Sequence, residues 1–510
     1  MKKILVRKNT YFDSVTLMSL GSRIKKMEGV SQAAVVMATE MNRAILRNAG
    51  LGNQETDDAG PNDLVLAAEA DDEEILKAAF SEIEESLAGK NQKKNHEERV
   101  YKTLEEALQD GVKPNLAVIS VPGRYAAREA GKALKNGMHV MLFSDNVSME
   151  KERKLKELAA EKGLLVMGPD CGTAVINGCG LCFANRIRKG SIGVVGASGT
   201  GLQEVLVQIH RLGGGIAQAI GTGGRDLKDG IGAVMMTEGI KALRDEEEVK
   251  VLVLVSKPPE AAVEEKIWSL LKTVRKPVVV CFLEGKPREN PPEHIYMADT
   301  LLEAAQRAVA LEKGTDIAQE EKDLKSAVKK AAVPLNMEQQ YVRGLFCGGT
   351  LCAEALIVLR RKLGNLKSNV SHHEGEILEN AEELKGNVLL DLGEDEFTNG
   401  RPHPMIEPSL RTEWIVQAAG DPSVGVVLMD VELGYGSHRN PAETAAEGIR
   451  MARAKAEKEG RNLNFVVYVC GTNQDIQGME EQKAILAREG AVLADSNVEA
   501  ARIAAEILKG

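Results

Sequence analysis

The sequence predicts an α/β protein built from several doubly wound parallel sheets and preceded by a small α+β unit. Three observations predict it. From Val100 onward, short and strongly apolar runs such as LAVISVP (116–122), VKVLVLVS (249–256) and GVVLMDVELG (425–434) alternate with helical stretches, and strands this apolar belong to a sheet covered on both faces. The second half repeats an order already run: SIGVVGASGTGLQEVL and GLFCGGTLCAEALIVL each read as strand, glycine turn and helix, and the closing helices ADTLLEAAQRAVAL and ADSNVEAARIAAEIL align. Such a repeat marks duplication of one domain, not a solenoid. Finally, 510 residues exceed what one core can fill and predict about three to five domains at roughly 100–200 residues each.

In chain order, residues 1–98 read as strand (3–9), helix (11–27), strand (31–39), a short helix (41–49), strand (63–70) and a helix with acidic residues in its first turn (71–89). That count suits a ferredoxin-like unit closed by the charged linker GKNQKKNHEE (89–98); Asp13 and Ser14 are placed to cap the first helix. Residues 99–190 alternate helix and strand, with strands at 116–122, 139–145 and 164–170, a Rossmann-like pattern. Residues 191–311 open on the first glycine turn and continue with strands at 216–224, 249–256 and 276–285 and helices near 230–233, about Trp268 and at the end. Residues 312–340 are charged, poor in strand formers and carry Pro334, which makes them a helical linker. Residues 341–510 repeat the third unit, with strands near 387–396, 425–434 and 463–471, and these two read as Rossmann/flavodoxin-like.

Composition narrows the function. With 43% hydrophobic and 27% charged residues the chain is an ordinary soluble globular protein. Its net charge of -10 and pI near 5.6 argue against general nucleic-acid binding. The N-terminus MKKILVRKNTYFDS is no signal peptide and no window approaches a membrane span, so a cytoplasmic protein is expected. Seven cysteines scattered from Cys171 to Cys470 fit reduced thiols better than a disulfide framework. Cys179 and Cys182 form a lone CxxC that reads as thiols in a glycine-rich strand turn, with zinc or redox chemistry as the alternative.

The two glycine turns carry the chemistry. A strand that passes through Gly196–Gly201 into a helix aims the unpaired N–H groups of the first helical turn, and the positive end of the helix dipole, at whatever lies above. Ser198, Gly199 and Thr200 at one helix start and Gly348, Gly349 and Thr350 at the other are therefore expected to share one phosphate or carboxylate. Two loops offer polar groups to complete the site. Arg401, His403 and Arg411 flank the proline-fixed segment of FTNGRPHPMIEPSLR, and His438, Arg439 and Asn440 precede a helix in VELGYGSHRNP. Arginine forks grip carboxylate or phosphate, and either histidine, His403 or His438, could move a proton; a solvent-exposed loop is the alternative for each. His372 and His373 lack further ligands at zinc spacing and read as surface loop, Lys151–Lys156 as a solvated helix face, and no metal site is expected. No GxxxxGK[ST], HExxH or GxSxG is present.

At GPDCGTAVING (168–178), SIGVVGASGTGLQEVL (191–206) and IGTGG (220–224), the chain resembles the α subunit of succinyl-CoA synthetase and the wider NDP-forming acyl-CoA synthetases. Residues 341–510 resemble the carboxyl-terminal domain of that enzyme's β subunit. A ferredoxin-like start, no ATP-grasp domain and both ligase halves in one chain most resemble the FdrA family. The resemblance implies a CoA-binding-like Rossmann domain at 99–190, an α-like ligase domain at 191–311, and the Gly168–Gly172 turn, with Asp170, against the ligand. Three departures stand out: VSKPPE (255–260) replaces the acidic strand end that steadies a phosphohistidine, KPRENPPEHIY (286–296) replaces the loop bearing that histidine and leaves only His294, and the opening CoA turn is not found.

What the resemblance then implies is carbamoyl transfer between carbamoyl phosphate and oxamate in allantoin breakdown. It needs an acyl phosphate as substrate, no obligatory cofactor, and separately encoded subunits in a homo- or hetero-oligomer. The rivals are an acyl-CoA synthetase subunit using CoA and a borrowed ATP-grasp partner, and a non-catalytic anion-binding scaffold.

Overall fold

The computed structural model describes residues 1–10, 12, 14–25, 27–92, 100–286, 288–317, 331–381, 384–398 and 401–509. Asp13, most of the first linker and much of the second lie outside them. The chain forms two compact units, one of residues 1–106 with 395–407, the other of residues 107–394 with 408–510. Among the described residues no helix is long and apolar enough to cross a membrane.

The first unit is a three-stranded antiparallel sheet in the order Lys2–Arg7, Leu64–Ala70, Val30–Met37. The run LVLAAEA becomes the central strand because its side chains serve two cores. Leu64, Leu66 and Ala68 meet Leu17, Ile24, Phe80 and Ile83 from the helices Ser14–Lys25 and Glu73–Gln92. Val65 and Ala67 on the opposite face meet Leu46, Leu51 and Ala59 from the inserted segment that carries the helix Glu40–Asn48. Thr39 caps that helix by accepting the Asn42 N–H at 3.3 Å.

The second unit contains three sheets. The smallest is parallel, Leu116–Ile119, His139–Leu142 and Val166–Met167, with the helices Gly123–Lys135 and Met149–Glu161. The next has seven strands in the order Ile295–Met297, Val278–Phe282, Val251–Ser256, Lys189–Gly196, Ile216–Gly221, Thr173–Ile176, Cys179–Cys182. Its first five are parallel and follow the flavodoxin-like order, so the direction of winding reverses beside Lys189–Gly196. The last two form an antiparallel hairpin on the Ile216–Gly221 edge. Hence 173–182, expected in the Rossmann-like domain, belongs to the sheet of the following one. The third sheet is wholly parallel, Leu366–Ser368, Asn387–Asp391, Tyr341–Phe346, Val424–Glu432, Asn464–Cys470, Val492–Ala494.

Three sequence expectations are corrected here. The helix expected near 230–233 starts at Val234, after Ala233 in the left-handed region, because the Asp226 carboxylate accepts the Met235 and Met236 N–H groups at 3.2 and 2.7 Å. Lys156, expected on a solvated face, is 0% exposed: its ammonium donates to Glu152 at 2.8 Å, to the Thr222 carbonyl at 2.9 Å and to Asp226 at 3.0 Å. The helix that follows the first glycine turn, whose sequence mixes apolar residues with Gln203, Glu204, Gln208 and His210 and so reads as amphipathic, is buried from Gly201 through His210. Its outer face meets the repeat: Gln203, Gln208 and Glu204 pair with groups of residues 433–495, while Leu202, Leu206 and Ile209 share one core with Leu351, Leu356 and Leu359 of the helix Gly349–Arg360. The two doubly wound halves thus close on a single apolar seam. At roughly 1.5–3 kcal/mol for each fully buried leucine or isoleucine, that seam dominates their association.

Candidate functional site

The two glycine turns meet. Both helices begin at the carboxyl ends of their strands, Ser198 after Lys189–Gly196 and Gly348 after Tyr341–Phe346. The Ser198 and Thr350 hydroxyls hydrogen-bond each other at 2.5 Å, and Ser198 Oγ also accepts the Gly201 N–H at 3.0 Å. Two glycines are required by this approach. A Cβ on Gly201 would lie 2.8 Å from Thr350 Cγ2, and one on Gly348 would lie 2.9 Å from Thr200 Cβ.

The N–H groups of Gly199 and Thr200 on one side, and of Gly349, Thr350 and Leu351 on the other, find no hydrogen-bond partner among the described residues. Unpaired N–H groups at two converging helix ends are an anion seat. The second turn is braced from below, where the Asp430 carboxylate accepts the Cys347 and Gly348 N–H groups at 2.8 and 3.0 Å. Gly172 backs the first turn, its N lying 3.6 Å from where a Gly199 Cβ would stand. Asp170 occupies the exposed corner of that same Gly168–Gly172 turn, in a left-handed conformation. Ser198, Gly199, Thr200, Gly348, Gly349 and Thr350 are therefore together, with Asp170 two residues from the group that backs them.

The other predicted residues divide. Arg411 is 2% exposed and spends its guanidinium on Asp430 and on Cys347 Sγ, at 3.1 Å for the sulfur. It fixes the brace beneath the second turn, which corrects its reading as a substrate-gripping arginine: the deep carboxylate next to it needs a counter-charge. His438 and Arg439 follow the strand Val424–Glu432 at the same strand-end side, Arg439 exposed and His438 half-buried. His438 Nδ1 accepts the Asn440 N–H at 3.2 Å, and its carbonyl is held by Gln477 at 3.3 Å. Arg401 and His403 lie on 395–407, which belongs to the first compact unit, and His403 Nδ1 accepts the Met405 N–H at 3.2 Å. A neutral imidazole whose Nδ1 accepts in this way carries its proton on Nε2.

His373, expected on a plain surface loop, reaches Glu284 across the repeat at 3.2 Å, and Glu284 also receives Arg360. Partial burial, then the charges of Lys257 and Lys228, hold His372 below its ordinary range. His294 bonds the Leu271 carbonyl at 3.3 Å at the amino end of its strand, the end opposite the seat.

Two residues that the sequence reading overlooked flank the seat. Lys257 follows Val251–Ser256, the strand whose Val255 carbonyl takes the Ala197 N–H at 3.0 Å. Its charge acts on Asp391, Cys352 and His372. Asp391, the last residue of Asn387–Asp391, is 5% exposed and lies against Gly349, where an added Cβ would collide with its Oδ2. Burial, and after it Glu394, pushes its carboxyl up to about 8. The signal that could have found both was position alone, a charged residue at the carboxyl end of a buried strand.

Among the described residues, Cys347, Asp430 and Glu432 could bring three ligand atoms within 4.8 Å of one another. Burial pushes the Cys347 thiol well up, and Arg411 supplies positive charge to Asp430 beside it, so these three groups form part of the braced network beneath the second turn.

Paired doubly wound domains meeting at two glycine-led helix starts define a CoA-ligase-type protein, and comparison with known proteins agrees. Residues 345–507 match the CoA-ligase domain and residues 187–285 the CoA binding domain, so the latter falls on the third sequence unit and not on 99–190. Residues 1–103 match the AllF heavy metal-associated domain. Soft metal ions are held by thiolates, and residues 1–103 contain no cysteine, so this unit does not fit such a site. The Escherichia coli (strain K12) protein YahF is 45% identical over 99% of this chain and 98% of its own. The succinate–CoA ligase [ADP-forming] subunit alpha 1 of Archaeoglobus fulgidus is 28% identical over 40% of this chain and 68% of its own. ATP citrate lyase from Methanothrix soehngenii, in complex with citrate and coenzyme A, aligns at TM-score 0.35 and 17% identity over 46% of each chain. The chain belongs to the FdrA family of CoA-ligase-like proteins.

Proposed function

We propose that this chain is a cytoplasmic subunit of an acyl-transferring enzyme whose paired helix starts bind the phosphate of an acyl phosphate. The family resemblance narrows this to carbamoyl phosphate, with oxamate as the acceptor in allantoin breakdown and separately encoded subunits completing the assembly. The observation that carries the reading is the Ser198–Thr350 hydroxyl contact at 2.5 Å with five unpaired N–H groups around it. Such a seat holds a phosphate dianion and stabilises the charge that grows on it as the acyl–oxygen bond breaks, with neither a metal nor a covalent histidine. His294, at the far end of its strand, supports transfer without a phosphohistidine relay. In this reading Arg439 grips the carboxylate of the acceptor, Asp170 orients it, and His438 handles a proton at the acyl carbonyl or the incoming nitrogen.

A second reading is a CoA-dependent synthetase subunit that borrows an ATP-grasp partner, favoured by the CoA binding match on 187–285. The seat suits an anionic group of CoA equally, since its N–H groups ask only for negative charge. Purified chain with its candidate partner subunits separates the two. Phosphate release from carbamoyl phosphate that depends on oxamate supports carbamoyl transfer. Thioester formed from ATP, CoA and a carboxylic acid supports the synthetase, and anion binding with neither activity reduces the protein to a scaffold.

A further inference from the structure

We propose that Asp391 is a proton donor to the anion in the seat, placed against the Gly349 helix start to protonate the phosphate as it leaves. The inference rests on the seat described above and deepens it. Asp391 is almost wholly enclosed: Oδ1 accepts the Gly393 N–H at 2.9 Å, while Oδ2 has no hydrogen-bond partner among the described residues and lies against the first residue of the helix Gly349–Arg360. A carboxylate lying against a helix start whose N–H groups are unpaired would repel the anion they serve. A neutral carboxylic acid in that position instead adds one more donor to them.

The groups around it set its state. Burial, Glu394 on its own loop, and Asp430 on Val424–Glu432, two strands away across Tyr341–Phe346, favour the neutral acid, and Lys257 from the facing repeat together with the Gly393 N–H favours the anion. The Cys347 and Cys352 thiols, which face it from the turn and the helix, are kept protonated by burial. The balance leaves Asp391 pushed up to about 8, so at neutral pH it carries a proton next to a cation at the rim. During transfer from an acyl phosphate, the bond from the nucleophile to the carbonyl carbon forms and the carbon–oxygen bond to phosphate breaks, its electron pair remaining on the phosphate oxygen. Without a donor the departing group would be a trianion. Asp391 supplies the proton that makes it hydrogenphosphate, and the proton displaced from the nucleophile returns to Asp391 through water, so charge and atoms balance.

The test uses sulfate, a tetrahedral dianion that does not titrate near neutrality, and calorimetric binding to the full chain from about pH 6.5 to about pH 9.5. Wild type is expected to lose about tenfold or more in affinity as the pH rises through the Asp391 transition, because a donor becomes a second negative charge. Asp391→Asn keeps the acceptor for Gly393 and a donor for the anion, so it should bind with wild-type affinity at the acid end and show no fall. Lys257→Met should weaken binding at every pH. A wild-type profile that is flat, or an Asp391→Asn profile as steep as wild type, overturns the role of Asp391 and leaves the seat standing. Absence of sulfate binding by folded wild type at any pH overturns the seat and this role with it.

Discussion

Gly201→Ala is the sharpest perturbation of the paired helix starts, because two large effects oppose each other there. Replacing a helical glycine by alanine stabilises an unencumbered helix by about 0.5–1 kcal/mol. At Gly201, however, the new methyl would lie 2.7 Å from Ser198 Oγ and 2.8 Å from Thr350 Cγ2, and neither neighbour can yield without loss. Turning Ser198 away gives up the cap on the Gly201 N–H and the bond to Thr350, each about 1 kcal/mol, while forcing a methyl into a packed contact costs about 1–3 kcal/mol. The net expectation is destabilisation of about 1–3 kcal/mol, with weakened sulfate binding. Gly131→Ala is the control: it sits inside the helix Gly123–Lys135 with Leu155 Cδ2 no nearer than 3.8 Å, and should gain about 0.5–1 kcal/mol. Urea unfolding followed by the fluorescence of the chain's two tryptophans, Trp268 in one half of the repeat and Trp414 in the other, reads both. The reasoning is refuted if Gly201→Ala is as stable as Gly131→Ala and still binds sulfate like wild type.

Further outcomes follow from the same contacts. Glu354 accepts the Leu301 N–H and the Asn497 amide at 2.7 and 2.8 Å, and burial lifts it from 4.5 to about 8. The folded state therefore holds a proton the unfolded chain has released, so stability is fully present below the unfolded value and is lost as pH rises through about 8. The loss amounts to about 5 kcal/mol at 1.36 kcal/mol per unit, and Glu354→Gln should flatten melting temperature against pH by that share; an unchanged slope would show that Glu354 is not the group. Lys156→Met removes the cation common to Glu152 and Asp226, leaving Glu152 only its pair with Arg225 at 2.9 Å, and should cost about 3–5 kcal/mol in an unfolding titration, with a near-neutral result counting against the buried network. Thr350→Val keeps the shape but removes the hydroxyl to Ser198, and should weaken sulfate binding several-fold at nearly constant melting temperature, whereas unaltered binding would place the anion elsewhere.

Local signals carried most of the architecture into the sequence. Buried parallel strands read as uninterrupted apolar runs, and glycine turns announce the helix starts whatever lies far away. What stayed illegible depends on partners remote in the chain. The burial of Lys156 is decided by Asp226, 70 residues on, and the polar side chains of the helix Gly199–Arg211 look solvent-facing until Tyr468 and Asp495 are brought against them. The edge strands Leu366–Ser368, Ile295–Met297 and Val492–Ala494 are too short to show a period. Of the seat, the backbone half was readable and the acid–base half was not. Aspartate after a strand is a common turn former, and only its placement over Gly349 gives Asp391 a chemical meaning.

The hairpin Thr173–Cys182 has a practical consequence for anyone dividing this chain. It covers the hydrogen-bonding rim of Ile216–Gly221, so a fragment begun at residue 191, where the repeat starts, would carry a naked strand ready to recruit another copy edge to edge. Cutting ahead of Cys171 keeps that rim capped, which makes the workable scissor point fall inside what the primary structure presents as the preceding domain.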